Sequence, residues 1–125
     1  MTIRVVLADD HAAGRSGLRM LLTTVGEIEI AAIAQDAYEA IRLAESEGPD
    51  VVLLDLDIPG VEAATATARI REAAPQAQVL LLTSDTDDPR ISEVLDGGAW
   101  GPVPKQAGPE VLIAAVRAAA ERRPA

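Results

Sequence analysis

PDVVLLDLDIPG, residues 49–60, decides the fold. Val51 to Leu54 is four apolar residues with no polar alternation, too short for a helix and bounded on both sides by breakers. A strand that apolar is buried on both faces, which is the condition of a parallel sheet covered by helices. Asp55 ends the strand, and Pro59-Gly60 turns the chain into a helix carrying Ala63, Ala66, Ile70 and Ala73.

The same unit recurs on either side. Upstream, Ile3 to Ala8 is apolar apart from Arg4 and ends at Asp9-Asp10. Leu18, Leu21, Leu22 and Val25 then repeat at the spacing of a buried helical stripe. Ile28 to Ala34 reads as a second strand. Asp36 reads as an N-cap with Glu39 three residues on, opening a helix whose inner face is Ala37, Ala40, Ile41 and Ala44 and which Gly48-Pro49 stops. Downstream, Val79 to Leu82 is a buried strand ending at Thr83. A helix begins near Pro89 and stops at Gly97-Gly98. Trp100 to Pro104 is a fifth strand, and Leu112, Ala115, Val116 and Ala119 mark a closing helix.

Five strands alternating with five helices predict an α/β domain, a doubly wound parallel sheet with helices on both faces. Pro102 and Pro104 remove two N–H groups from one side of the last strand, which predicts an edge position. No repeat or long linker interrupts the 125 residues, so they read as one domain.

Composition narrows the function. The hydrophobic fraction of 49% excludes disorder, and no apolar run approaches the ~20 residues that span a bilayer. The opening MTIRVVLADD reads as a strand and not a signal peptide. Absence of Cys excludes disulfides, thiol catalysis and zinc-cysteine sites, and fits the cytoplasm. A net charge of −9 argues against direct binding to nucleic acid or to anionic membranes.

In a doubly wound sheet, ligands bind outside the carboxyl ends of the strands. That rule brings Asp9, Asp10, Asp55, Thr83 and Lys105 to one rim. Lys105 is the only lysine among eleven basic residues, the other ten being Arg, which marks a position that needs a compact ammonium. Two unit charges ~4 Å apart repel by ~4 kcal/mol at an effective dielectric of ~20, so three clustered carboxylates need a cation among them. Oxygen ligands without His or Cys indicate Mg²⁺ or Mn²⁺. Such a rim suits phosphoryl transfer. Asp55 is the candidate nucleophile that forms an acyl phosphate, the metal and Lys105 offset charge on the phosphoryl oxygens, and Thr83 donates a hydrogen bond. For Asp9 alone, a strand-end turn or cap is the simpler reading.

VLADDH (6–11), PDVVLLDLDIPG (49–60), LLLTSD (80–85) and the isolated Lys105 together resemble the receiver domain of bacterial two-component response regulators. The DDH opening, followed by Arg15, Gly17, Leu18 and Leu22, resembles the NarL/LuxR-type subfamily. The resemblance implies a flavodoxin-like (CheY-like) fold with strand order 2-1-3-4-5. It implies that Asp55 accepts a phosphoryl group from a phosphohistidine on a sensor histidine kinase, with slow autodephosphorylation to follow. It further implies that Asp10 and Asp55 hold Mg²⁺ directly, with the backbone carbonyl of Asp57 as a further ligand and Asp9 acting largely through water. Thr83 becomes the switch hydroxyl and Lys105 the cation beside it. An output surface is expected on the helix from Pro89, the fifth strand and the closing helix, around Ile91, Val94, Leu95, Trp100 and Val103, with a homodimer through it as one expectation. A C-terminal helix-turn-helix is usual in the subfamily, so residues 1–125 are expected to be the receiver part of such a regulator or a free-standing receiver.

Three positions depart from the family pattern. Ala63 stands where a Gly is common, Pro102 where a Tyr or Phe rotates inward on activation, and Gln106 where Pro or Asp often follows the lysine. These departures motivate an alternative, a degenerate receiver acting as a phosphorylation-independent dimerisation or ligand-binding module, or a receiver with weakened coupling beyond Thr83. A small phosphatase is a more distant class, since Asp55-Leu56-Asp57 matches a DxD pair of haloacid-dehalogenase type only at the motif. His11 reads as a helix-start residue, Trp100 as packing or an interface anchor, and Asp85, Asp87 and Asp88 as a solvated loop.

Overall fold

The computed structural model describes residues 2–10 and 26–122. Its strands are β1 (Ile3–Ala8), β2 (Ile28–Ala34), β3 (Val51–Asp55), β4 (Gln78–Thr83) and β5 (Trp100–Pro104). They form one five-stranded sheet in the order β2-β1-β3-β4-β5, with every pairing parallel. The described residues hold four helices: α1 (Ala37–Glu47), α2 (Ala63–Ala73), α3 (Ile91–Asp96) and α4 (Pro109–Glu121). The expected first helix, with Leu18, Leu21, Leu22 and Val25, and the expected role of His11 lie outside the described residues.

Strand alternation divides the apolar runs between two cores. Val6, Ala8, Val52, Leu54, Val79 and Leu81 face α1, α2 and α3. Val5, Leu7, Val51, Leu53, Leu80, Leu82 and Val103 face Leu112, Val116 and Ala119 of α4. The central strands are therefore apolar at every position because each side chain has a core to enter.

Local signals set the helix ends. Asp36 accepts a hydrogen bond from the Glu39 backbone N–H at 2.8 Å, and the Glu39 carboxylate accepts one from the Gln35 N–H at 3.2 Å. Gly48 ends α1 in the left-handed conformation at φ 57°. On α2 the buried residues are Ala63, Ala66, Thr67 and Ile70, while Ala73 is only partly buried. Thr67 takes an inward place that apolar periodicity alone does not reveal. Ala63 is the first residue of α2, and no non-glycine residue among those described has positive φ, so Ala carries no backbone penalty there.

β5 is an edge strand paired only with β4. Its register slips by one residue between the Leu80 and Leu82 pairs, at Gly101-Pro102, whose peptide bond is cis. Gly101 has φ 105°, and a Cβ there would stand 3.0 Å from the Leu81 carbonyl oxygen, so the slip requires glycine. Pairing resumes at Val103, and the Lys105 N–H donates to the Thr83 carbonyl at 2.8 Å.

One expectation about surfaces is corrected. Ile91, Val94 and Val103 are 7%, 1% and 6% exposed, so they belong to the cores and not to an output face. Their apolar character is used in holding α3 and β5 onto the sheet. Leu95 and Trp100 remain half-buried at the surface.

Candidate functional site

Parallel strands deliver their C-terminal residues to one rim. Asp9 follows β1 directly, and its N–H is held by the Ala34 carbonyl of β2 at 3.1 Å. Asp55 is the last residue of β3, next to β1 on one side and β4 on the other. Thr83 ends β4, and Lys105 is the residue after β5. Asp9 and Asp55 are fully buried and Thr83 nearly so, whereas Asp10 is exposed.

The side chains converge. One carboxylate oxygen from each of Asp9, Asp10 and Asp55 lies within 4.8 Å of the others. The Lys105 ammonium donates to Asp55 Oδ2 at 2.6 Å and stands 3.4 Å from Asp9 Oδ2. Asp55 Oδ1 accepts from the Asp57 N–H at 3.1 Å, and the Ile58 N–H donates to the Asp55 carbonyl at 3.1 Å. The loop after β3 is thereby wrapped around the carboxylate it follows. Burial alone would lower the Lys105 pKa, but its hydrogen bond to Asp55 and the charges of Asp55 and Asp9 outweigh burial and raise it. Lys105 is accordingly charged at neutral pH.

The Lys105 ammonium thus serves two of the three clustered carboxylates. The remaining donor set is all oxygen, which fits a hard divalent cation and not a soft one. The Thr83 hydroxyl turns back on its own loop, donating to the Asp85 carbonyl and accepting from the Asp85 N–H, both at 3.0 Å.

The Asp57 side chain points away from the carboxylates. It accepts from Arg90 Nη2 at 2.6 Å, and the same guanidinium holds Asp88 through Nη2 at 2.8 Å and Nε at 3.0 Å. Hydrogen bonding from Arg90 pulls the Asp88 pKa down from 3.8 to about 2. The Arg90 pKa is raised by its bonds to Asp88 and Asp57. The acidic stretch before α3 is solvent-facing, as expected, but it is an ordered turn: Asp85 Oδ1 also caps the Asp87 N–H at 2.9 Å. Gln106, one of the departures, bridges to the Ser84 carbonyl at 3.1 Å. Sequence reasoning missed Arg90. The available signal for Arg90 was a cation set directly after three acids and Pro89, at a helix start.

Residues 5–117 match the family model described as the response regulator receiver domain. The chain belongs to the response regulator receiver domain family. Among curated proteins this receiver is similar to the oxygen regulatory protein NreC of Staphylococcus epidermidis, 39% identical over 116 residues. That match covers 92% of this chain and 53% of NreC, so the chain spans about half the length of that relative. Among solved structures, the signal receiver domain of the response regulator NarL from Mycobacterium tuberculosis superposes with a TM-score of 0.89 at 33% identity, covering 98% of both chains. These relatives make the receiver one of NarL/LuxR type. The receiver domain of the sensor histidine kinase PA1611 from Pseudomonas aeruginosa PAO1, with magnesium coordinated in its active-site cleft, has a TM-score of 0.84. It is 19% identical and covers 97% of this chain and 99% of that one, a likeness of fold. Strand order, sheet and helices are those of a receiver, and no helix among the described residues is long and apolar enough to cross a membrane.

Proposed function

We propose that this receiver is a phosphorylation-controlled switch whose acceptor is Asp55, charged by a phosphohistidine of a sensor histidine kinase. The observation that carries the reading is a buried Asp55 at a strand end, 2.6 Å from the only lysine and clustered with Asp9 and Asp10. A carboxylate oxygen of Asp55 attacks phosphorus. The new O–P bond forms as the donor's N–P bond breaks, and the bonding pair leaves on the imidazole nitrogen. Lys105 stays charged throughout and follows the incoming phosphoryl oxygens. Thr83 reaches them by giving up its bond to the Asp85 carbonyl.

Mg²⁺, or Mn²⁺, would be held by Asp10, Asp55 and the Asp57 backbone carbonyl, with Asp9 beside them, and when bound it offsets charge on the phosphoryl group. The magnesium in the Pseudomonas receiver's cleft supports this choice. Relay to a transcriptional output domain, by a homodimer or otherwise, and a cytoplasmic location are read across from the NarL-type relatives. With a charge of −9, this domain contributes no DNA-binding face of its own.

The second reading is a receiver that works without phosphorylation as a dimerisation or ligand-binding module. Pro102 favours it, since Pro has no side chain that can rotate inward. Intact-mass spectrometry with a small phosphodonor and Mg²⁺ separates the two. The switch requires an adduct of one phosphoryl group that needs the metal and vanishes in Asp55→Asn. A chain that stays unmodified with metal bound belongs to the second reading.

A further inference from the structure

Arg90 ties the start of α3 to the loop after β3 by side-chain hydrogen bonds. Its contacts with Asp88, two residues away, fix the guanidinium at the start of α3. Its contact with Asp57 crosses to the loop after β3, and Asp57 in turn donates its backbone N–H to Asp55 Oδ1. Two directional bonds therefore lead from the phosphoacceptor to α3. Asp57 and Arg90 both line a cleft of about 460 Å³ between that loop and α3, together with Val61, Glu93 and Val94. The ion pair spans this cleft.

α3 is short. It has six residues, far fewer than an isolated helix needs, and its buried side chains are Ile91 and Val94. The route through an inward-rotating aromatic is closed by Pro102. We propose that Arg90 is a positioning residue that couples the state of Asp55 to the position of α3 through Asp57; this rests on the phosphoryl-switch reading. Modification of Asp55 changes what its Oδ1 can accept, the Asp57 backbone follows, and the ion pair carries the displacement to Arg90 and the helix. An exposed pair of this kind biases an equilibrium by up to about fivefold, enough to shift a short helix and weak enough to be reversed.

Hydrogen–deuterium exchange of residues 91–96 in the 125-residue chain, with and without beryllofluoride and Mg²⁺, tests the coupling. In the wild type the exchange rate should change about two- to fivefold on adding the phosphoryl mimic. Arg90→Ala should lose that change, Arg90→Lys should recover part of it, and Asp57→Asn should match Arg90→Ala, with the double variant no worse than either. An Arg90→Ala response equal to wild type overturns the proposal. So does a variant whose resting exchange shifts but whose response to the mimic is intact, the mark of a merely structural pair. A wild type that forms the phosphoryl adduct yet shows no change at 91–96 sinks the coupling and leaves the switch standing. No adduct and no response sinks both.

Discussion

Lys105 is the residue on which the charge balance of the site turns. It is one-fifth exposed, bonded to one buried carboxylate and close to another. Replacing it with Met should slow adduct formation at Asp55 on the order of 10²-fold, the usual cost of one preorganised charge donor, while calorimetry still detects Mg²⁺ binding. Arg is no substitute, because its planar fork does not fit where a point charge sits between two carboxylates. Asp88 offers a direct reading of the Arg90 contacts. Its folded pKa, about 2, lies below the ordinary 3.8. The pair therefore adds stability above pH ~4, lost as pH falls through about 2. Carboxyl-carbon NMR should place its midpoint near 2, and Arg90→Ala should return it towards 3.8. A midpoint unchanged by that substitution would detach Asp88 from Arg90.

At the scale of elements, the helix and strand ends carry more information than their middles. Asp36→Ala removes the bond to the Glu39 N–H and should cost about 1 kcal/mol in urea unfolding without altering the slope. Leu53→Ala opens a cavity in a strand with no exposed residue and should cost about 2–5 kcal/mol. A cost well under 1 kcal/mol would mean that the core facing α4 collapses around the gap. β5 carries its identity in its breakers. Pro102 and Pro104 keep the outer edge from accepting another strand, and Gly101 permits the slip that precedes Val103. The position of β5 was readable from its prolines, but the register shift was not, since it depends on how close the Leu81 carbonyl comes.

For the whole molecule, folding and metal binding should be linked, because the carboxylates come from strands that meet only in the folded sheet. Mg²⁺ at 100 times its dissociation constant should stabilise the domain by about 2.7 kcal/mol, raising the melting temperature, and chelation should reverse it. Asp10→Asn should shrink the shift, and an unchanged midpoint with and without metal would remove the ion from the site. By itself the sequence determined the strand order of events along the chain, the parallel sheet, its proline-marked edge, and the rim of Asp9, Asp10, Asp55, Thr83 and Lys105. Those follow from local rules: uninterrupted apolar runs need two covered faces, and parallel strands all point their carboxyl ends one way. Only the tertiary structure decided that Ile91, Val94 and Val103 are core, that Thr67 is buried, and that Arg90 reaches across to Asp57. The reason is that which face of a short helix turns inward, and which carboxylate a long flexible cation reaches, are set by neighbours tens of residues away. No pattern within one segment records them.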